Sequence, residues 1–231
     1  MRIIRNERRI RVLSSIGKYA TVAGLLALLA GLIISFARPN WFVPMMASIT
    51  LGMGLSIVGG FFADRYASPL AHHDALAGAL KGLDNQYVLW QYTLPAPHVL
   101  LEPGGCTVLV VKAQGGQVTC EDGRWKHRQR GKFFRQFAGQ EGLGAPHIEA
   151  ENQTRKLKRH LANHLPDIEV PVRAAIVFVN PDVTLDGAAS PVPAFYGKKV
   201  KAWLRGPGRL KPLPATLYRE LAEAVGLDVG E

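Results

Sequence analysis

Two apolar runs, Tyr19 to Phe36 and Trp41 to Phe62, stand near the start of the chain with only Ala37, Arg38, Pro39 and Asn40 between them. Each is uncharged, and at about 1.5 Å per helical residue each can cross a hydrocarbon core of roughly 30 Å. So short a gap holds no domain, and the pattern predicts an antiparallel membrane hairpin with both ends on one side. Arg2, Arg5, Arg8, Arg9, Arg11 and Lys18 precede the first run against a single acid, Glu7, whereas the tip carries only Arg38. Basic flanks stay cytoplasmic, so a multi-pass chain in the cell membrane with both termini in the cytoplasm is expected. A cleaved signal peptide is the competing reading, since Ser35-Phe36-Ala37 loosely resembles a cleavage site. Signal cores, however, run to only about 7–15 apolar residues and a second span follows here.

The runs carry a packing signal of their own. Ala23, Ala27, Gly31 and Ser35 recur every four residues in the first, and Ser48, Gly52, Ser56 and Gly60 do so in the second. Residues four apart share a helix face, so each ladder offers a smooth ridge along which two backbones can approach. No charge lies inside either run, which fits an anchor better than an ion path or proton relay.

The organisation expected is a basic N-terminus (1–18), the hairpin (19–62) and one cytoplasmic domain (63–231) with its core at about 71–180. The net charge of +10 and mean hydropathy of +0.05 average these parts. Most of the positive charge sits beside the hairpin, where topology and lipid headgroups account for it. The remainder leaves the domain only mildly basic, compatible with nucleic acid or an anionic membrane surface. Cys106 and Cys120 form no CxxC or His/Cys ligand pattern. In the cytoplasm they are expected as reduced thiols, with no structural zinc.

Within the domain, Ala71 to Leu83 reads as a short amphipathic helix, with Leu76, Ala79, Leu80 and Leu83 on one side. Three strands follow, Tyr87 to Leu94, His98 to Glu102 and Thr107 to Lys112, punctuated by proline and glycine. Gly115-Gly116 turns into a fourth strand at Gln117 to Cys120, and Asp122-Gly123 turns again. A segment rich in glycine around Gly139, Gly142 and Gly144 leads to a helix from Pro146 to Leu165, with Arg155, Lys158 and Arg159 exposed. Val172 to Val179 reads as a strand covered on both faces. A loop of Ala, Gly and Pro then leads to a short strand near Val192 to Tyr196 and helices near Lys198 to Leu204 and Pro214 to Val225. The fold class expected is α/β, a mixed sheet flanked by helices behind the hairpin.

Arg124, Lys126, Arg128, Arg130 and Lys132 occupy alternate positions, so an extended chain projects all five from one face. With Trp125, His127 and Phe133 nearby, this stripe is the candidate surface for a phosphate backbone, anionic headgroups being the alternative contact. Lys198, Lys199 and Lys201 pose the same choice on a smaller scale. His160 and His164 have a spacing that suits zinc but no third ligand, and His72-His73-Asp74 reads as a polar helix start. The glycine pairs lack the lysine and serine of a phosphate loop.

From about Asp74 to Val179 the order of features resembles the nuclease-related domain, NERD, a family with a restriction-endonuclease-like fold. The matching residues are Asp74, Leu94-Pro95, His98-Val99-Leu100-Leu101, Val110-Val111-Lys112, Gly115-Gly116, Trp125 and Pro146. The resemblance implies an Asp on one strand and an acid two residues before a Lys on the next, together holding Mg²⁺ that activates water. Here Pro97 stands where the Asp is expected and Val110 where the acid is expected, leaving Lys112, with Asp74 matching only an accessory acid. Lysine cannot replace oxygen ligands for a hard cation. The resemblance therefore implies a pseudoenzyme without cofactor, acting as a binding or scaffold module at the cytoplasmic membrane face, with nucleic acid as a candidate partner. Two alternatives stand beside it. One is a membrane-tethered, Mg²⁺-dependent nuclease with acids relocated among Asp74, Glu102 and Glu121; the other is a structural membrane protein without nucleic-acid contact. A protein partner cannot be read from the residues.

Overall fold

A computed structural model describes residues 1–131 and 141–226. Lys132, Phe133 and Gly139 lie outside them. The chain forms two compact units, the first built from Met1–Asn6, His72–Gln129 and the described residues from Leu143 on, the second from Glu7–Ala71 and the described part of 130–142.

The second unit is a helical hairpin. Helix α1 spans Glu7–Ala37 and α2 spans Phe42–Tyr66, both long and apolar enough to cross a membrane. Their large side chains face outward: Leu25, Leu29 and Leu51 are more than half exposed, Phe36 is 82% exposed and Val43 75%. A soluble core helix buries such residues; a continuous exposed apolar surface fits hydrocarbon and supports membrane anchoring. The buried residues are Ile10, Gly17, Gly24 and Gly31 on α1 and Gly52 and Gly59 on α2. A Cβ added at Gly24 meets Ser56 Oγ at 2.5 Å, and one at Gly52 meets the Leu28 backbone nitrogen at 2.7 Å.

The contact therefore repeats every seven residues, and the four-residue ladders are corrected accordingly. Steps of four advance by about 40° around a helix, whereas steps of seven drift by only about 20°, so only the longer period stays on the seam. Gly31, Ser48, Gly52 and Ser56 lie at the contact. Ala23 and Ser35 are exposed, and Ala27 and Gly60 are half-buried.

The first unit is a three-layer α/β domain. Its six-stranded sheet has the order β1 (Arg2–Arg5), β2 (Val88–Gln91), β3 (His98–Glu102), β4 (Gly105–Lys112), β7 (Val172–Phe178) and β9 (Ala194–Tyr196). β1 and β2 are parallel, β3 is antiparallel to both β2 and β4, and β4, β7 and β9 are parallel. Helices α3 (His72–Leu80) and α5 (Lys199–Arg205) cover one face through Leu76, Leu80, Val200 and Leu204. Helices α4 (Pro146–His164) and α6 (Ala215–Ala224) cover the other through Leu157, Leu161 and Leu221. A second sheet, β6 (Arg124–Arg128), β5 (Gly116–Glu121) and β8 (Val183–Asp186), packs through Val118, Trp125 and Leu185 onto Val110, Ala150, Ile176 and Phe178.

Three strands depart from the sequence reading. β8 lies in the segment read as loop, and β5 joins the small sheet instead of continuing the main one. β1 comes from the basic segment ahead of the hairpin: its backbone pairs with β2, and the Met1 ammonium donates to the Leu83 carbonyl at 3.0 Å.

Candidate functional site

Alternation along β4 sends Val108, Val110 and Lys112 toward α4, and Leu109 and Val111 toward α3. The register Val99↔Val108 and Leu100↔Thr107, carried two residues further, sets Pro97 beside Val110. The fold thus brings Pro97, Val110 and Lys112 to one end of the sheet, where the family resemblance places its chemistry. The Pro97 carbonyl accepts a hydrogen bond from the Tyr92 N–H at 2.7 Å, closing the β2–β3 connection. Val110 is 1% exposed and packs with Ala150, Ile176 and Phe178.

Lys112 is 3% exposed. Its ammonium lies 2.8 Å from Glu149 Oε2, and Gln153 Nε2 donates to Glu149 Oε1 at 2.9 Å. Glu149 stands in the first turn of α4, which Pro146 opens and where a carboxylate favours the helix dipole. Sequence reasoning assigned no role to Glu149; its one signal was an acid just inside a helix introduced by proline. Beside Lys112, Asn180 Nδ2 donates to the Ala113 carbonyl at 2.9 Å and so fixes the strand's exit.

The Mg²⁺ that the resemblance implies does not fit these residues. A divalent ion needs several oxygen ligands, and this end of the sheet offers a pyrrolidine ring, an isopropyl group and an ammonium already paired with its nearby carboxylate. Among the described residues no three His, Cys, Asp or Glu side chains converge as a metal site.

The acids considered for a relocated site lie apart. Asp74 is on α3, which covers the opposite face, and accepts from Arg5 at 2.9 Å with His73 Nε2 at 3.4 Å. Glu102 pairs with Gly105 at the far end of β4, roughly 23 Å from Lys112 at about 3.3 Å per residue. There it is 2% exposed, accepting from Thr107 and, at 3.0 Å on each oxygen, from Arg173, whose guanidinium stacks 4.1 Å from the Trp203 ring. Burial lifts the Glu102 carboxyl above the usual range, opposed by those hydrogen bonds. Glu121 lies across from Arg124 and pairs with Lys126, whose hydrogen bond and charge hold it below the usual range.

Arg124, Lys126 and Arg128 do project from the exposed face of β6. Arg130 falls in the other compact unit, and Lys132 lies outside the described residues. The stripe is less basic than its sequence suggests, because Glu121 and Asp186 share the sheet face through β5 and β8. The aromatic residues are on the reverse side. Trp125 packs 5.8 Å from the Phe178 ring and His127 Nε2 lies 2.8 Å from the Gly115 carbonyl, so neither is placed to stack on a base beside the arginines.

His72 and His73 open α3, as the reading of a polar helix start expects, and both are buried, at 4% and 5% exposed. The His160 and His164 rings lie 4.4 Å apart, and burial together with His164 holds His160 below the ordinary imidazole range. Cys106 and Cys120 are free thiols, the former pushed up to about 12 by burial. Lys198 and Lys199 are exposed, and Lys201 donates to the Lys81 carbonyl at 2.6 Å.

With this geometry in hand, residues 70–179 match the family model of the nuclease-related domain, NERD. The chain therefore carries a nuclease-related domain of mixed α/β architecture behind two long apolar helices. β1, β8, β9, α5 and α6 lie outside the matched residues. Neither a curated protein nor a solved structure matches the chain.

Proposed function

We propose that this chain is a two-span membrane protein that holds a non-catalytic NERD domain at the cytoplasmic face as a binding or scaffold module. One observation carries the reading: at the family's catalytic position the lysine is buried in an ion pair with Glu149, and Pro97 and Val110 stand as its neighbours. The metal mechanism needs carboxylate oxygens at those two positions to hold the ion that activates water. Lys112 with Glu149 instead joins β4 to α4, a fixed strut within the sheet-helix layer. The candidate ligands are polyanions, nucleic acid first, given the family and the basic surface.

The membrane orientation has two supports. β1 precedes the hairpin and its sheet partners follow it, so the two flanks fold into one sheet on one side of any bilayer the helices cross. The basic residues ahead of Tyr19 make that side cytoplasmic.

The test uses the full chain in detergent, because a fragment starting after the hairpin lacks β1. An ion bound at 100 times its Kd adds about 2.7 kcal/mol to the folded state. Millimolar Mn²⁺ or Mg²⁺ is expected to leave the unfolding temperature unchanged. A saturable rise that disappears in Glu149→Gln contradicts the reading.

A further inference from the structure

Helix α4 contains Arg155-Lys156-Leu157-Lys158-Arg159, and the structure fixes how that sequence faces. Leu157 is 0% exposed and points into the core with Ala150 and Leu161. At about 100° per residue, Arg155 and Arg159 lie some 160° to either side of Leu157, while Lys156 and Lys158 lie about 100° to either side. Two arginines thus form the crest of the helix and one lysine flanks each slope. All four are exposed, and none makes an ion pair with an acid among the described residues. Glu151 precedes Arg155 by one turn on the same outer face, whereas on the β6 stripe Glu121 pairs directly with Lys126 and Asp186 shares the face as well.

We infer that the outer face of α4 is a docking surface for duplex DNA, entering the major groove with its arginine crest between the two phosphate backbones. The inference rests on the binding-module reading and names its partner and surface. An α-helix of about 10–12 Å diameter fits a B-form major groove about 12 Å wide. Lysines on opposite slopes then meet phosphates on opposite strands, while the arginines face the groove floor or its rims. A-form RNA has a deep, narrow major groove that excludes such a helix. A bilayer suits the crest poorly: Ile148 is its one large exposed apolar side chain, whereas interfacial helices bury a broad apolar face in the headgroup boundary.

The test uses the full chain in nanodiscs of uncharged phosphatidylcholine, with a labelled duplex of about 25 bp read by fluorescence anisotropy. The two lysine–phosphate contacts give a slope of about −1.8 in log affinity against log salt, or roughly a 12-fold loss between 50 and 200 mM. Arg155→Ala with Arg159→Ala is expected to weaken binding at 50 mM salt at least tenfold, and Lys156→Ala with Lys158→Ala to flatten the slope by about 1.8. Arg124→Ala with Arg128→Ala is expected to change neither. These exposed positions leave the core intact, and an unchanged unfolding temperature verifies folding. DNA binding lost in the β6 variant but kept in the α4 variants overturns the inference and spares the binding-module reading. So does equal affinity for duplex RNA. Absence of DNA binding at 50 mM salt, or crest-dependent capture by anionic vesicles alone, also overturns it. Failure of the underlying reading has a separate signature, metal-dependent cleavage of the duplex.

Discussion

Lys112, at the position where the family resemblance places a catalytic lysine, is held in an ion pair with Glu149, and the proposed reading makes that pair structural. Removing one partner of a buried pair leaves a charge in low dielectric, whereas replacing both with apolar groups is often neutral. Glu149 is 31% exposed, so Glu149→Ala is expected to cost about 1–3 kcal/mol, measured by thermal or denaturant unfolding of the full chain, and Lys112→Met with Glu149→Leu to recover most of it. Equal loss in both would contradict a pair that serves packing. At this scale the sequence was legible where chemistry is local. Pro97, Val110 and Lys112 could be placed from strand order alone, and the structure sets them side by side. Glu149 could not, because its contact with Lys112 exists only after α4 docks on β4. Trp125 was misread for a related reason: alternation puts it opposite Arg124 and Lys126, yet only the packing of β6 on Phe178 shows which side is inside.

Elements were legible in proportion to their length and pattern. The two apolar helices, α4 and β7 stand out through long periodic or continuous apolar runs. β1 and β8 did not, since each is four residues long and takes its stability from a neighbour's backbone, β1 inside a basic flank and β8 inside a loop of Ala, Gly and Pro. The hairpin seam was half legible: small residues marked the close approach, but their period needed the partner helix to show that seven, not four, follows the contact. The glycines provide a sharp test. Gly24→Leu and Gly52→Leu would drive side chains into the facing backbone, whereas Gly54 has no neighbour within 4 Å of an added Cβ. The first two are expected to lower the unfolding temperature in detergent and Gly54→Leu to leave it near wild type. Indifference at all three would remove the close-packed seam.

On the scale of the whole molecule, the chain before the hairpin and the chain after it form a single sheet, so fold and membrane topology constrain each other. Asn40, at the hairpin tip, is expected on the far side from the domain. Asn40→Cys should react with an impermeant thiol reagent on intact cells, and Asp64→Cys should not; the reverse pattern inverts the orientation. Tethering would concentrate the domain at the membrane, and its exposed charge would then select what it holds there. The central claim is that this NERD domain holds a ligand without cutting it. The full chain, incubated with plasmid, linear duplex DNA and RNA in the presence of Mg²⁺ or Mn²⁺, is expected to leave all three intact. Cleavage that EDTA abolishes and Lys112→Ala removes would contradict the account.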